Sequence, residues 1–393
     1  MKQEKEQKNS IEALHYETGK PVRIEIVDGL ISNITEIEGL EDDKKNLFVA
    51  PGLIDNQING YAGVDFSGNK LSVREIFKAA QAIWKEGVTT FLPTVLTNSH
   101  DNLLKNLRTL DEAIGGEEKL RQSIPGIHLE GPYISPKEGY RGCHPVQHIR
   151  KPSWKEFLAY QKAAGGRIIQ VTLAPETEGA MEFIRLCTRM GIVAALGHTN
   201  ASSDQINQAV DSGARLSTHL GNGCANLIHR HQNPIWPQLA NDLLTTSVIA
   251  DGLHLTPDEL RVFYKIKGPR NLILTSDVIY LAGMAPGRYT FLENEVILTE
   301  EGMLLNPDLN CLAGASFPLM RGVENIMKFT GCKFNQAVNM ASGNVAAFYG
   351  FADRGELVSG KRADIILIEK KIDQLKIIKS YLNGKMVFDG LSQ

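Results

Sequence analysis

The sequence predicts an α/β protein, a parallel (β/α)8 TIM barrel accompanied by a small β unit assembled from both ends of the chain. Three observations predict it. Short apolar runs recur between residues 48 and 275, with amphipathic helical stretches between most of them. Eight such runs over roughly 230 residues suit a (β/α)8 barrel. The two ends of the chain instead alternate apolar with polar residues, the pattern of half-buried strands.

From about Pro21 to Leu40, Val22, Ile24 and Ile26 precede Asp28-Gly29, and Ile31, Ile34 and Ile37 follow it, which predicts a hairpin turning at that dipeptide. The barrel strands are expected over Phe48–Asp55, Val88–Val95, Ile124–Glu130, Ile168–Ala174, Ile192–Gly197, Arg215–His219, Thr246–Ala250 and Leu272–Thr275. Between the first two, VREIFKAAQAIWKEG places Ile76, Ala79, Ala80, Ile83 and Trp84 on one helical face, and Gly87 stops it. After Tyr280 a β-rich excursion, RYTFLENEVILTEEGMLL, is expected, then helices near 317–329 and 334–348. The closing ADIILIEKKIDQLKIIKSYLNGKMVFDG reads as strands turning at Asn383-Gly384. Neither terminal segment buries enough apolar surface alone, so the two are expected to pair. The expected division is 1–50 and 355–393 for the β unit and 51–354 for the barrel.

Composition bounds the partners. With 42% hydrophobic and 22% charged residues among 393, a sizeable core can form. A net charge of -3 argues against nucleic acid and anionic membrane as partners, since both call for a basic face. No apolar run is long enough to span a bilayer, and the polar head MKQEKEQKNS does not read as a secretion signal. The five scattered cysteines form no CxxC pair, which fits reduced thiols and a cytoplasmic location.

Chemistry gathers where the predicted strands end. The third closes as HLEGP with Glu130, the fifth as LGHT with His198, the sixth as STHLGN with His219 and the eighth as LTSDV with Asp277; IADGLHL adds His254 after the seventh. In a (β/α)8 barrel these ends converge on one mouth. Two imidazoles and a carboxylate, Glu130, His198 and His219, are a ligand set for a catalytic divalent metal with a position left open for water. Such an ion lowers the pKa of water from near 16 to about 7. Asp277 is then placed to move protons, and His254 to polarise a substrate carbonyl. Singly, each residue has a plainer explanation, a core histidine or a helix cap. Five together at the same end of successive strands favour the catalytic one. In PGLIDNQING, Gln57 and Asn59 stand where a two-metal site would carry histidines, so one ion is expected.

PGLIDNQING, GVTTFLPT, GIHLEGPYISPKEGYRGCHP, VTLAPE, LGHTNA, STHLGN, IADGLHL, LTSDV, LAGAS, ASGNVAAFYGF and RGELVSGKRADIIL together resemble the N-acetylglucosamine-6-phosphate deacetylase family of the amidohydrolase superfamily, over nearly the whole chain. The resemblance implies a barrel with a small β-sandwich formed from both termini. It implies hydrolysis of the acetamide of a 6-phosphorylated N-acetyl amino sugar, in a homodimer. The family's metal ligands fall on Glu130, His198 and His219, its acid/base on Asp277 and its carbonyl-polarising histidine on His254. His144 matches a substrate-contacting histidine, Asn222 with Gly223 a phosphate-binding segment, and Arg230 an arginine that reaches the phosphate, often across the dimer interface. Zinc is the expected ion, with iron or cobalt as alternatives. The sequence departs from the family around the sugar, at HLGNGCAN, IHRHQNPIWPQ and VIYLAGMAPGRY. Those changes leave the galacto epimer or another N-acyl sugar as rival substrates, and His229 and His231 as either phosphate contacts or solvated loop residues. A cyclic amide is a more distant rival, and a non-catalytic binding scaffold would be expected to lose ligands that are all present here.

Overall fold

A computed structural model describes residues 8–391 apart from 310 and 373; the first part of the polar head, residues 1–7, lies outside the described residues. Among the described residues, eight parallel strands form one sheet in chain order: Leu53–Ile58, Val88–Leu96, Ile127–Glu130, Ile168–Leu173, Val193–Leu196, Leu216–Ser217, Thr245–Ile249 and Leu272–Thr275. The first and eighth strands close the barrel through an isolated Ile58–Val278 bridge and two backbone bonds, Asp277 N–H to Gln57 O at 3.1 Å and Asn59 N–H to Val278 O at 2.8 Å. The carboxylate of Asp55, fully buried, reinforces this seam. It accepts from the Gln57 N–H on its own strand and from the Ser276 N–H and Thr275 hydroxyl across the gap. Burial pushes the Asp55 carboxyl up to about 6.

Helices fill the outside as the apolar periodicity dictates. Val73–Lys85 buries Ile76, Ala79, Ala80, Ile83 and Trp84, begins at a Ser72 cap that accepts the Glu75 N–H, and gives way to Gly87 at φ 81°. The indole N–H of Trp84 donates to Ser123 at 2.9 Å, so this large side chain is buried without an unpaired polar atom. Pro257–Lys267 starts with a Thr256–Glu259 capping box.

The two chain ends meet in a seven-stranded sheet. Its hairpins turn where the sequence places them, with positive φ at Asp28, Gly29, Asn383 and Gly384. Leu47–Pro51 lies between the carboxy-terminal strand Ile365–Lys371 and the amino-terminal strand Lys8–His15, and joins the two halves. The outer turns abut, since a Cβ on Gly29 would lie 2.7 Å from Asn383 Oδ1, consistent with a small β-sandwich.

Three details differ from the expectation. Phe48–Asp55 is two strands in two sheets, divided at Gly52; a Cβ there would sit 2.1 Å from Thr89 Oγ1, so the crossover needs glycine where the second barrel strand passes. The 334–348 helix is broken between Phe334–Met340 and Gly343–Tyr349, where Ser342 adopts φ -150° and ψ -86°. The strand Lys8–His15 carries too little alternation to be read from sequence. The excursion after Tyr280 forms a four-stranded antiparallel sheet over Gly287–Leu312. Among the described residues, no helix is long and apolar enough to cross a membrane.

Candidate metal centre

Glu130 ends the third barrel strand, His198 and His219 follow the fifth and sixth by two residues each, and Asp277 follows the eighth by two. His198, His219 and Asp277 all hold positive φ, at 49°, 30° and 53°. Non-glycine residues adopt that left-handed backbone at a cost, and a cluster of three at one barrel mouth marks a functional site. The turn at each strand end aims its side chain inward, where a continued strand would send alternate residues to the outer face.

The geometry selects a cation. His219 Nε2 lies 3.0 Å and His198 Nε2 3.5 Å from the same oxygen, Glu130 Oε1. His198 Nδ1 lies 3.0 Å from the carbonyl of Tyr140, which can only accept, so this nitrogen carries the proton. In a neutral His198 the Nε2 lone pair therefore faces a carboxylate oxygen. Two acceptors face each other, and a divalent ion between them satisfies both, with the Tyr140 carbonyl fixing the ring as outer partners of metal-bound histidines do. Close packing holds that ring: a Cβ on Gly223 would lie 2.8 Å from its Nδ1 and one on Gly142 3.1 Å from its Cε1. The residues present thus fit a metal.

Electrostatics agree. Burial works to raise the Glu130 carboxyl, but the hydrogen bonds and charges of His198 and His219 hold it well below the usual carboxylate range. Burial works to lower His219, and Glu130 more than offsets it, so the imidazole rises to about 8. Burial, with Glu130's negative charge, raises the Asp277 carboxyl, which suits a group that must take up a proton and return it. His219 therefore keeps its proton until about pH 8, and an ion binding through its Nε2 would have to displace that proton. Metal affinity is expected to rise about tenfold per pH unit below that value and to level off above it. Competition against a chromophoric chelator across this range measures the slope; an affinity independent of pH would contradict the coupling.

Gln57 and Asn59 have a positive role that the sequence did not reveal. Gln57 Nε2 donates to Glu130 Oε2 and to Asp277 Oδ1, both at 2.8 Å, and Asn59 Nδ2 donates to the same Asp277 oxygen at 2.8 Å. One amide thus ties the candidate ligand to the candidate acid/base. Asp251 is a second residue missed. Its Oδ2 lies 2.7 Å from His254 Nδ1, and its Oδ1 accepts the N–H groups of Leu253 and His254, leaving His254 Nε2 for the cavity. The only sequence signal was its place three residues before His254 in IADGLHL.

A cavity of about 380 Å³ opens over the centre, lined by Glu130, His198, His219, His254 and Asp277, and by His144, Asn222 and Gly223. His144 stands nearer the centre than a substrate contact requires. Its ring lies 4.5 Å from that of His198, and Glu130, His144 and His198 offer donor atoms all within 4.8 Å of one another. Among the described residues that mutual spacing is met with His144 as the third member, whereas His219 approaches the same Glu130 oxygen at 3.0 Å without completing an equally tight group. His144 Nδ1 is engaged by the Thr97 hydroxyl at 2.7 Å, and burial together with the charge of His198 holds the ring down to about 3, so it is neutral. Asn222 Nδ2 is buried with no partner among the described residues. Arg230 is not brought to the site: it is exposed, outside the cavity lining, with its carbonyl accepting from Trp236 Nε1. His229 Nδ1 accepts the N–H groups of His231 and Gln232, which orders the loop.

Comparison with known proteins shows the family and the fold. The amidohydrolase family matches residues 48–389. An N-acetylglucosamine-6-phosphate deacetylase of Bacillus subtilis is 33% identical over 372 residues, 92% of each chain. The crystal structure of the Thermotoga maritima N-acetylglucosamine-6-phosphate deacetylase superposes with a TM-score of 0.85 at 28% identity, covering 97% of this chain and 100% of that one. A Mycobacterium smegmatis deacetylase mutant in complex with N-acetyl-D-glucosamine-6-phosphate superposes with a TM-score of 0.83 at 26% identity, covering 93% and 94%. The chain belongs to the amidohydrolase family, on the branch that carries the N-acetylglucosamine-6-phosphate deacetylases.

Proposed function

We propose that this protein hydrolyses the N-acetyl group of N-acetylglucosamine 6-phosphate to glucosamine 6-phosphate and acetate. One observation carries the reading: two imidazole nitrogens converge on Glu130 Oε1, while Gln57 ties the same carboxylate to Asp277. Glu130, His198 and His219 would hold one divalent ion, for which zinc is the expected metal and iron or cobalt the alternatives. His219 is preferred to His144 as third ligand because its Nε2 lies 3.0 Å from Glu130 Oε1 and it follows a barrel strand, while His144 sits on a loop. An ion bound there supplies acidification of water and polarisation of the scissile carbonyl.

This chain's residues do the rest. Asp277 takes the proton of the attacking water, holds it in its buried site, and delivers it to the nitrogen of the departing amine. His254, anchored on Asp251, presents Nε2 to the carbonyl oxygen and, when protonated, donates to the charge that develops on it. Asn222, with its unpaired donor, and Gly223 would take the phosphate, with His144 against the sugar. An exposed Arg230 outside its own cavity supports a homodimer in which it reaches the phosphate of the neighbouring copy. Five free thiols and a sugar phosphate substrate support a cytoplasmic setting.

Acetate release from N-acetylglucosamine 6-phosphate, its galacto epimer and the unphosphorylated sugar tests the reading. Turnover is expected on the gluco compound, with kcat/KM lower by about a hundredfold or more without the phosphate, whose remote binding energy positions the amide. A higher efficiency on the galacto epimer would move the substrate to that sugar, and no acetate from any of the three would end the proposal.

A further inference from the structure

Two cysteines that the proposed chemistry does not use face each other in the cavity wall. Cys143 Sγ lies 3.7 Å from Cys311 Sγ, and both side chains line the cavity above the candidate metal centre. Cys143 sits on the loop that carries Gly142, packed against the His198 ring, and His144. Cys311 leads in four residues to Ala315, whose N–H donates to the Asp277 carbonyl at 3.1 Å. The pair comes from a loop and a short strand, Cys311–Leu312, 168 residues apart, and each sulfur has a continuous path to a residue of the site.

We propose that Cys143 and Cys311 form a reversible disulfide on exposure to a hydroperoxide and that this bond switches the hydrolase off. The inference rests on the hydrolase reading for its effect, although the bond itself does not. The Cys311 thiol, the more exposed of the two and held below its ordinary range by its hydrogen bond with Cys143, is the attacking sulfur. Its thiolate attacks one peroxide oxygen, the O–O bond breaks, and with one proton taken up a sulfenic acid and water form. Cys143 then attacks that sulfur, the S–O bond breaks, and a second water leaves. In sum two thiols and one hydrogen peroxide give one disulfide and two waters; the two sulfurs together lose two electrons and the peroxide gains them. The sulfurs must close from 3.7 Å to about 2.05 Å. That movement draws the Gly142–His144 loop towards the strand leading to Ala315, and shifts the seats of His198 and Asp277 relative to one another.

The metal-loaded enzyme is treated with hydrogen peroxide, then with a phosphine reductant. Intact mass, peptide mapping under non-reducing conditions and acetate release are followed together. The expected result is a mass loss of about 2 Da, a linked peptide containing Cys143 and Cys311, a fall in rate of about tenfold or more, and recovery of mass and rate on reduction. Cys143→Ser and Cys311→Ser, or the corresponding alanine variants should serine misfold, are each compared with their own untreated rate and are expected to lose both the linked peptide and the reversible inactivation. Absence of the linked peptide in the wild-type protein overturns the proposal, and so does its presence with an unchanged rate or equal inactivation of the variants. Failure of the hydrolase reading is distinguishable, because it shows as no acetate release before any peroxide is added.

Discussion

Asp277→Asn is expected to bind its ion at the wild-type ratio while kcat falls about a thousandfold. The expectation follows from what the side chain touches. Gln57 and Asn59 both donate to Asp277 Oδ1, and an asparagine oxygen accepts those same bonds, so the fold at the seam and the ligand set persist. What the amide lacks is a basic oxygen able to take a proton in a buried site. Steady-state kinetics with metal analysis of the same preparation separate the two properties. A variant that turns over near the wild-type rate would remove Asp277 from the mechanism.

Glu130→Gln is expected to lose both the ion and the activity, with a metal content near background and a rate lower by at least about a thousandfold. The carboxylate supplies the negative charge that His198 and His219 converge on, and the neutral amide supplies none. Such a variant should still fold. The new amide can donate to the imidazole nitrogens and accept from Gln57, so the contacts of the lost carboxylate are replaced, and His219 Nδ1 stays without a partner as it is in the parent protein. Without Glu130 the raised His219 imidazole also loses its main support and falls. Excess zinc is not expected to restore the rate. Recovery by zinc would mean that His144, His198 and His219 suffice to hold it.

Much of this was legible in the sequence because strand periodicity and strand termini are local properties. Burial on both faces makes the barrel strands into apolar runs, and the residue just after each run falls at the mouth whatever lies elsewhere in the chain. Glu130, His198, His219 and Asp277 could be named for that reason. The Asp28-Gly29 and Asn383-Gly384 turns were legible because left-handed backbone selects those residues. Pairing between side chains was not legible. Gln57 stood out for the histidine it replaces, yet its bonds to Glu130 and Asp277 span 73 and 220 residues, and no periodicity reports such a partner. Asp251 looked like a turn residue because its hold on His254 depends on how one loop folds back. The closeness of His144 to the centre has the same origin, a loop path that short-range pattern does not determine. Gly52 shows the converse: Phe48–Asp55 reads as one apolar run, although the Pro51-Gly52 dipeptide within it marks where the chain passes from one sheet to another.

The most direct test is a titration of metal-free protein with zinc in which bound metal and acetate release are read from the same samples. The proposed one-ion site predicts a rate that climbs in proportion to bound ion and stops climbing at one equivalent per chain, since Gln57 and Asn59 stand where a two-ion site would be expected to carry histidines and are engaged with Glu130 and Asp277. Full turnover in rigorously metal-free protein, or a rate that keeps rising to two equivalents, would contradict it.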